Sequence, residues 1–242
     1  TLNLATGTGG KFNDVINDVR FGSLSAGVGL KEAAASTQEL FESFGQFNSM
    51  TTKAQENIIR TTAELDRMGI ANATTAKNLH ISTKALGMNA DEAMDVQRQI
   101  ANEAIQLGLV PAQLANDFTS NLPKLVQYGN QSTHIFKELA AQSKATGMSI
   151  DSLISITQQF DTFEGAAKAA GKLNAILGGN LLNSTELLGA TESERVDMLR
   201  QSISLSGKNF NEMGKFEKMA VASAAGITDM NEAAKLFGTS SE

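Results

Sequence analysis

Phe160-Asp161-Thr162-Phe163-Glu164-Gly165-Ala166-Ala167-Lys168-Ala169-Ala170-Gly171-Lys172-Leu173-Asn174-Ala175-Ile176-Leu177-Gly178-Gly179-Asn180 is the stretch that decides the fold class. Phe163, Ala166, Ala167, Ala170, Leu173, Ile176 and Leu177 recur at three- and four-residue steps, which lines them along one face of a helix. Thr162 is the natural N-cap, because its hydroxyl can accept from an amide left open in the first turn. Glu164 falls in that first turn, where the helix dipole favours negative charge. Gly178 and Gly179 supply the left-handed C-terminal stop. The predicted contact face is mostly alanine, so a neighbour can approach closely, and the stretch reads as a central core helix.

Outward from it, the same grammar repeats. Gly69, Gly87, Gly108, Gly129 and Gly147 lie 18, 21, 21 and 18 residues apart. After most of them comes an apolar residue, then a capping residue or a proline, then a new amphipathic run. Gly87-Met88-Asn89 leads to Glu92 in a capping-box arrangement. Gly108-Leu109-Val110-Pro111 places proline at the first helical position. Gly147-Met148-Ser149 and Gly226-Ile227-Thr228 follow the pattern, and Thr191 to Glu194 is a full capping box. A period near twenty invites a solenoid reading. The runs between the glycines are unlike one another, however, and ordinary helices with short connections give the same spacing.

Helices are therefore expected over 24–48, 52–68, 74–86, 90–107, 111–119, 132–146, 149–160, 162–177, 184–190, 192–206, 211–225 and 229–237. Phe12, Val15, Ile16 and Val19 add a short amphipathic turn or two. No two-residue alternation of the kind a half-buried strand needs persists anywhere. The fold class is all-α, a compact array of short helices joined by glycine-stopped, N-capped turns. The sequence suggests three parts: a flexible glycine-rich arm with a short helix (1–23), a longer small-residue-rich helix (24–50), and a compact multi-helix domain (51–242). Within the second part Ser25, Gly29 and Ala33 fall at four-residue steps. That spacing allows a close helix–helix seam, although a glycine-rich linker entering a helix explains it more simply.

Composition agrees. Among 242 residues only two are proline and none is tryptophan, so the core must be built from Ala, Leu, Ile and Met with twelve Phe as anchors. The net charge of −6 is spread without a basic block, which argues against nucleic-acid binding. The absence of cysteine excludes disulfides and thiolate metal sites. No apolar run is long enough for a transmembrane helix, and no signal peptide is visible at Thr1. A chain that starts without methionine is expected to be a piece of something longer.

The search for chemistry returns little. Gly7-Thr8-Gly9-Gly10-Lys11-Phe12 suggests a phosphate loop, but Ala5 and Phe12 stand where the motif needs glycine and a hydroxyl. Glu42-Ser43-Phe44-Gly45-Gln46-Phe47 resembles the Glu-Ser catalytic segment of lytic transglycosylases, whose glutamate protonates the glycosidic oxygen. The glycine-rich loop and aromatic lining that those enzymes need are missing, so Glu42 is expected on a solvated face. His80 and His134, 54 residues apart, form no zinc motif. Asp161 and Glu164 are explained by helix capping, and no nucleophile elbow is present. The nine methionines suit gap-filling in the core better than an adaptable binding surface. No enzyme, catalytic residue, cofactor or metal is predicted.

The central stretch also resembles a motif of tail tape-measure-type proteins of tailed bacteriophages. The similarity is carried by Phe160–Ala167 and Gly171–Asn180. It extends to Leu86–Ala93, Thr146–Leu153 and Ala190–Arg195, and spans roughly Leu30 to Phe237. It implies a structural virion protein, assembled in the bacterial host cytoplasm, which helps to specify tail length and leaves the tube with or before the genome. The implied partners are tail-tube and tail-tip or baseplate proteins and further copies of the chain itself, with threefold symmetry. The alternative is a non-enzymatic helical scaffold or adaptor that binds partner helices in a groove.

Overall fold

Helix is the only regular structure in residues 7, 10–22 and 27–238, the part of the chain that this computed structural model describes. The fold is all-α. Its contacts divide it into two units, 1–133 and 134–242.

The first unit holds α1 (Asn13–Gly22), α2 (Leu30–Ser43), α3 (Thr52–Arg67), α4 (Asn72–Ala85), α5 (Ala90–Gln106) and α6 (Pro111–Leu125), with 3-10 turns at Phe47–Ser49 and Val126–Gln131. Phe12, just before α1, and Val15, Ile16 and Val19 on it join Leu40, Phe44, Phe47, Ile58, Ile59 and Leu79 in one buried cluster. Phe12 meets Phe47 at 5.6 Å and Phe41 edge-on at 6.0 Å, a spacing at which aromatic rings attract. The short N-terminal helix is thus part of this core, and the described part of residues 1–23 does not stand apart as an arm. Residues 1–6 and 8–9 of the expected arm lie outside the described residues.

The expected long helix over 24–48 is shorter. It starts at Leu30 and ends at Ser43, because Phe44 turns to an extended backbone that lets its ring and that of Phe47 reach the core. Gly29 caps α2 from outside, its amide donating to Glu32 Oε2 at 3.1 Å, so Gly29 and Ala33 are not two steps of one helical seam. Ser25 lies outside the described residues. In the other direction α6 runs past 119 to Leu125 with Pro123 inside its last turn. Leu122 and Leu125 are fully buried there, and their packing outweighs the backbone bond that proline removes.

The second unit holds α7 (Ser132–Thr146) from its third residue onward, then α8 (Ile150–Gln158), α9 (Phe163–Leu177), α10 (Ser184–Gly189), α11 (Glu192–Leu205), α12 (Lys215–Ala224) and α13 (Met230–Gly238). The expected start at 211 is replaced by a 3-10 turn, Phe210–Glu212, whose Phe210 packs 5.4 Å from Phe237. Helix α9 packs on α10 and α12, while α11 packs on α8 and α13. A single domain over 51–242 therefore does not describe the chain, since α3 to α6 share their core with α1 and α2.

The punctuation is where the sequence puts it. Gly69, Gly87, Gly108, Gly129, Gly147, Gly178 and Gly226 all take positive φ. At Gly178 (φ 86, ψ 36) the left-handed turn closes α9, its amide donating to Asn174 O at 2.9 Å. Asn89 with Glu92 and Thr191 with Glu194 form reciprocal capping boxes. Ser149 and Thr162 accept from the amides three residues on. At the last helix the cap falls one residue beyond Thr228, where Asp229 Oδ1 accepts from Asn231 N at 2.7 Å.

Candidate functional site

Helix α9 buries one stripe: Ala166, Ala169, Ala170, Leu173 and Leu177. It buries one side only, and it packs more extensively on its neighbours than any other helix of the second unit does. Phe163, expected on its apolar face, is 62% exposed because it occupies the first turn, before the buried stripe begins. The polar residues around the helix are what tie the second unit together.

Arg195 is the node. On α11 the residues Glu192, Arg195, Val196, Leu199, Ser202 and Ile203 fall at helical steps and are all buried. Arg195 is therefore carried inside on an apolar face, at 5% exposure. Its Nε donates to Leu187 O at 2.9 Å and its Nη2 to Leu188 O at 3.2 Å, which closes the end of α10. Its Nη1 donates to Thr157 O of α8 at 3.1 Å and to Asp161 Oδ1 at 2.6 Å. Glu192 Oε1 lies 3.4 Å from the same nitrogen. One guanidinium thus joins α8, the turn before α9, α10 and α11. Buried arginine tolerates this setting because its donors are matched by carbonyls and carboxylates.

Asn174 organises the other end of α9. Its Oδ1 accepts from the amides of Leu181 and Leu182, both at 2.9 Å, and its Nδ2 donates to Leu182 O at 2.8 Å. Lys208 Nζ donates to Ile176 O at 3.0 Å and to Glu217 Oε1 at 2.6 Å, so the C-terminus of α9 is pinned near the start of α12. Gln159 Nε2 donates to Ala225 O at the opposite end. Asp161, Asn174 and Arg195 thus direct their polar atoms at the chain's own backbone and charges.

The other residues that the sequence singles out are scattered. Glu42 is exposed and accepts from Gln38 Nε2 at 3.0 Å, beside the buried Phe44 and Phe47. Lys11 Nζ sits 5.5 Å from the centre of the Phe12 ring. His80 is exposed, and His134 Nε2 faces Glu138 Oε1 at 3.3 Å on a surface turn of α7. Among the described residues no group of histidine and carboxylate side chains could hold a metal ion. Met94, Met148 and Met213 are buried, and Met50, Met68 and Met88 pack against the first unit's core, whereas Met219 and Met230 are exposed. No described helix is long and apolar enough to cross a membrane.

Among the described residues two carboxyls are shifted. Burial raises that of Asp117 on α6. The backbone amide of Thr191, and then its hydroxyl, lower that of Glu194.

Sequence reasoning quoted Arg195 only as the end of a motif. The signal for its role lies in the three- and four-residue spacing of Arg195, Leu199 and Ser202, which puts a cation on the buried face of α11. Comparison of the chain with protein-family models, with curated proteins and with solved structures finds no match.

Proposed function

We propose that the chain is a structural part of a bacteriophage tail, of the tape-measure type, and that this portion works as a folded docking piece. One observation carries the reading. The stretches that resemble the tape-measure motif, Phe160–Asn180 and Ala190–Arg195, are joined by Arg195 and Asp161, and their polar side chains hold backbone in place. Such a motif specifies a fold, not a reaction. In this reading the partners are tail-tube and tail-tip or baseplate proteins together with further copies of the chain, in threefold assembly. The place of action is the virion tail, assembled in the host cytoplasm.

A folded docking piece and an extended ruler differ in what a deletion does. Residues 51–237 as one continuous helix would span about 280 Å. Their in-frame removal from the parent phage should block tail formation or infectivity. Functional tails shortened by that amount in electron micrographs would refute the reading. Purified chain incubated with peptidoglycan should release no muropeptides. Release that disappears in Glu42→Gln would assign a lytic activity instead.

The adaptor reading draws on α12, where Phe216 is 83% and Met219 47% exposed on one face. An adaptor should remain monodisperse alone at all concentrations, whereas the tail protein should self-associate.

A further inference from the structure

Arg200 on α11 is a largely covered cation without a hydrogen bond among the described residues. Its side chain is 15% exposed, and its Nε is buried with no partner. The nearest carboxylate oxygen, Asp197 Oδ1, lies 3.8 Å away, and that oxygen already accepts from Gln142 Nε2 at 3.0 Å. A covered guanidinium normally has its donors matched, as Arg195 does five residues earlier, because leaving them unmatched is unfavourable. The unmatched one borders a cleft of about 380 Å³ between α11, the turn at 208–211 and the end of α13.

The lining of that cleft is selective. Among the described residues that line it the charged ones are Arg200 and Lys208, with no carboxylate, in a chain whose net charge is −6. Lys208 keeps one of its three protons free, the other two being donated to Ile176 O and Glu217 Oε1. Ile203, Phe210, Leu236 and Phe237 give it an apolar floor, all of them buried. The other amides at its edge are engaged, Asn209 Nδ2 to Glu212 Oε1 and Asn211 Nδ2 to Gly238 O. A planar guanidinium with free donors above an apolar floor matches a carboxylate flanked by hydrocarbon.

We propose that this cleft docks an acidic side chain with apolar neighbours, carried on a segment of a partner protein, and that Arg200 receives the carboxylate. The proposal concerns the second unit alone and does not depend on the tail reading. The test uses the full chain and two blocked peptides, acetyl-Leu-Glu-Leu-amide and acetyl-Leu-Gln-Leu-amide. Titration is followed by NMR on the arginine side-chain NH signals, assigned with Arg200→Met. The Glu peptide should bind at least tenfold more tightly than the Gln peptide and should shift the Arg200 signals. Lys208→Met, in a chain that still melts cooperatively although the bonds to Ile176 O and Glu217 Oε1 are lost, should weaken the Glu peptide severalfold. Equal binding of the two peptides, or unmoved Arg200 signals, would overturn the proposal. So would acetate binding as tightly as the Glu peptide, which would assign the cleft to small anions. A shift of the Arg200 signals on removing residues 239–242 alone would show that the chain's own end fills the cleft, and would overturn it as well.

Discussion

Replacing Arg195 by methionine tests the account of the second unit most directly. The change keeps the unbranched stem of the side chain out to about the position of Nε and removes every donor. Leu187 O, Leu188 O and Thr157 O lose a partner, and the Glu192 carboxylate, itself 6% exposed, loses the cation beside it. Asp161 is 38% exposed at its side chain, so water replaces much of what that pair contributes. The buried carboxylate and the three carbonyls dominate. Breaking a buried pair by removing one partner costs about 3–5 kcal/mol. A domain is stable by only about 5–15 kcal/mol, so the second unit should come close to unfolding. At about 4 °C per kcal/mol for a domain of roughly a hundred residues, its transition should fall by about 12–20 °C. Calorimetry of the full chain would follow it. Glu192→Gln in the Arg195→Met background should restore part of the loss, since the unpaired charge is then gone, while Glu192→Gln alone should cost about 1 kcal/mol. An Arg195→Met transition within about 4 °C of the parent, or a double variant no more stable than the single one, would refute the node.

The remaining expectations are smaller in scope. Leu173→Asp, at a fully buried site on α9, should cost several kcal/mol and remove the cooperative transition of the second unit; circular dichroism melting checks it. The lowered carboxyl of Glu194 makes its cap fully effective above the unfolded value of 4.5, with the contribution lost as pH falls through the lower folded value. The melting difference between parent and Glu194→Gln should therefore be present at neutral pH and vanish on acidification. Asp117 carries the opposite sign. Its raised carboxyl makes the native state take up a proton first, so its ionised form opposes folding above the folded value and is relieved as pH falls. Asp117→Asn should melt at or above the parent at neutral pH, and that advantage should shrink in acid.

What the sequence made legible was local. Gly87, Gly108, Gly147 and Gly178 end helices because only glycine enters the left-handed turn without strain. The caps at Asn89, Ser149, Thr162 and Thr191 satisfy amides within three residues. Each needs only its own neighbourhood, so each could be read in advance. Most of the differences required a partner distant in sequence. Phe44 leaves the helix because the core of Ile58 and Phe12 receives it. Pro123 stays in a helix because Leu122 and Leu125 are buried on either side of it. The glycine-rich composition of residues 1–11 suggests an arm leading into a short helix, and nothing local to that helix shows that it packs on α3 and α2.

The polar residues of the candidate site obey the same division. Asn174 could have been suspected, since an asparagine one turn before a glycine stop can bond its own loop, and its partners Leu181 and Leu182 lie only seven and eight residues on. Arg195 reaches Thr157 across 38 residues and Asp161 across 34, and no local rule predicts those partners. Its position on the buried stripe of α11 does predict that it must have some. A cation that helical periodicity carries inside requires acceptors close by. In Arg195 that requirement is met within the chain. In Arg200, on the same helix and with Asp197 only at 3.8 Å, it is not. The contrast between these two arginines, five residues apart, separates the part of the second unit that holds itself together from the part that is left open to a partner.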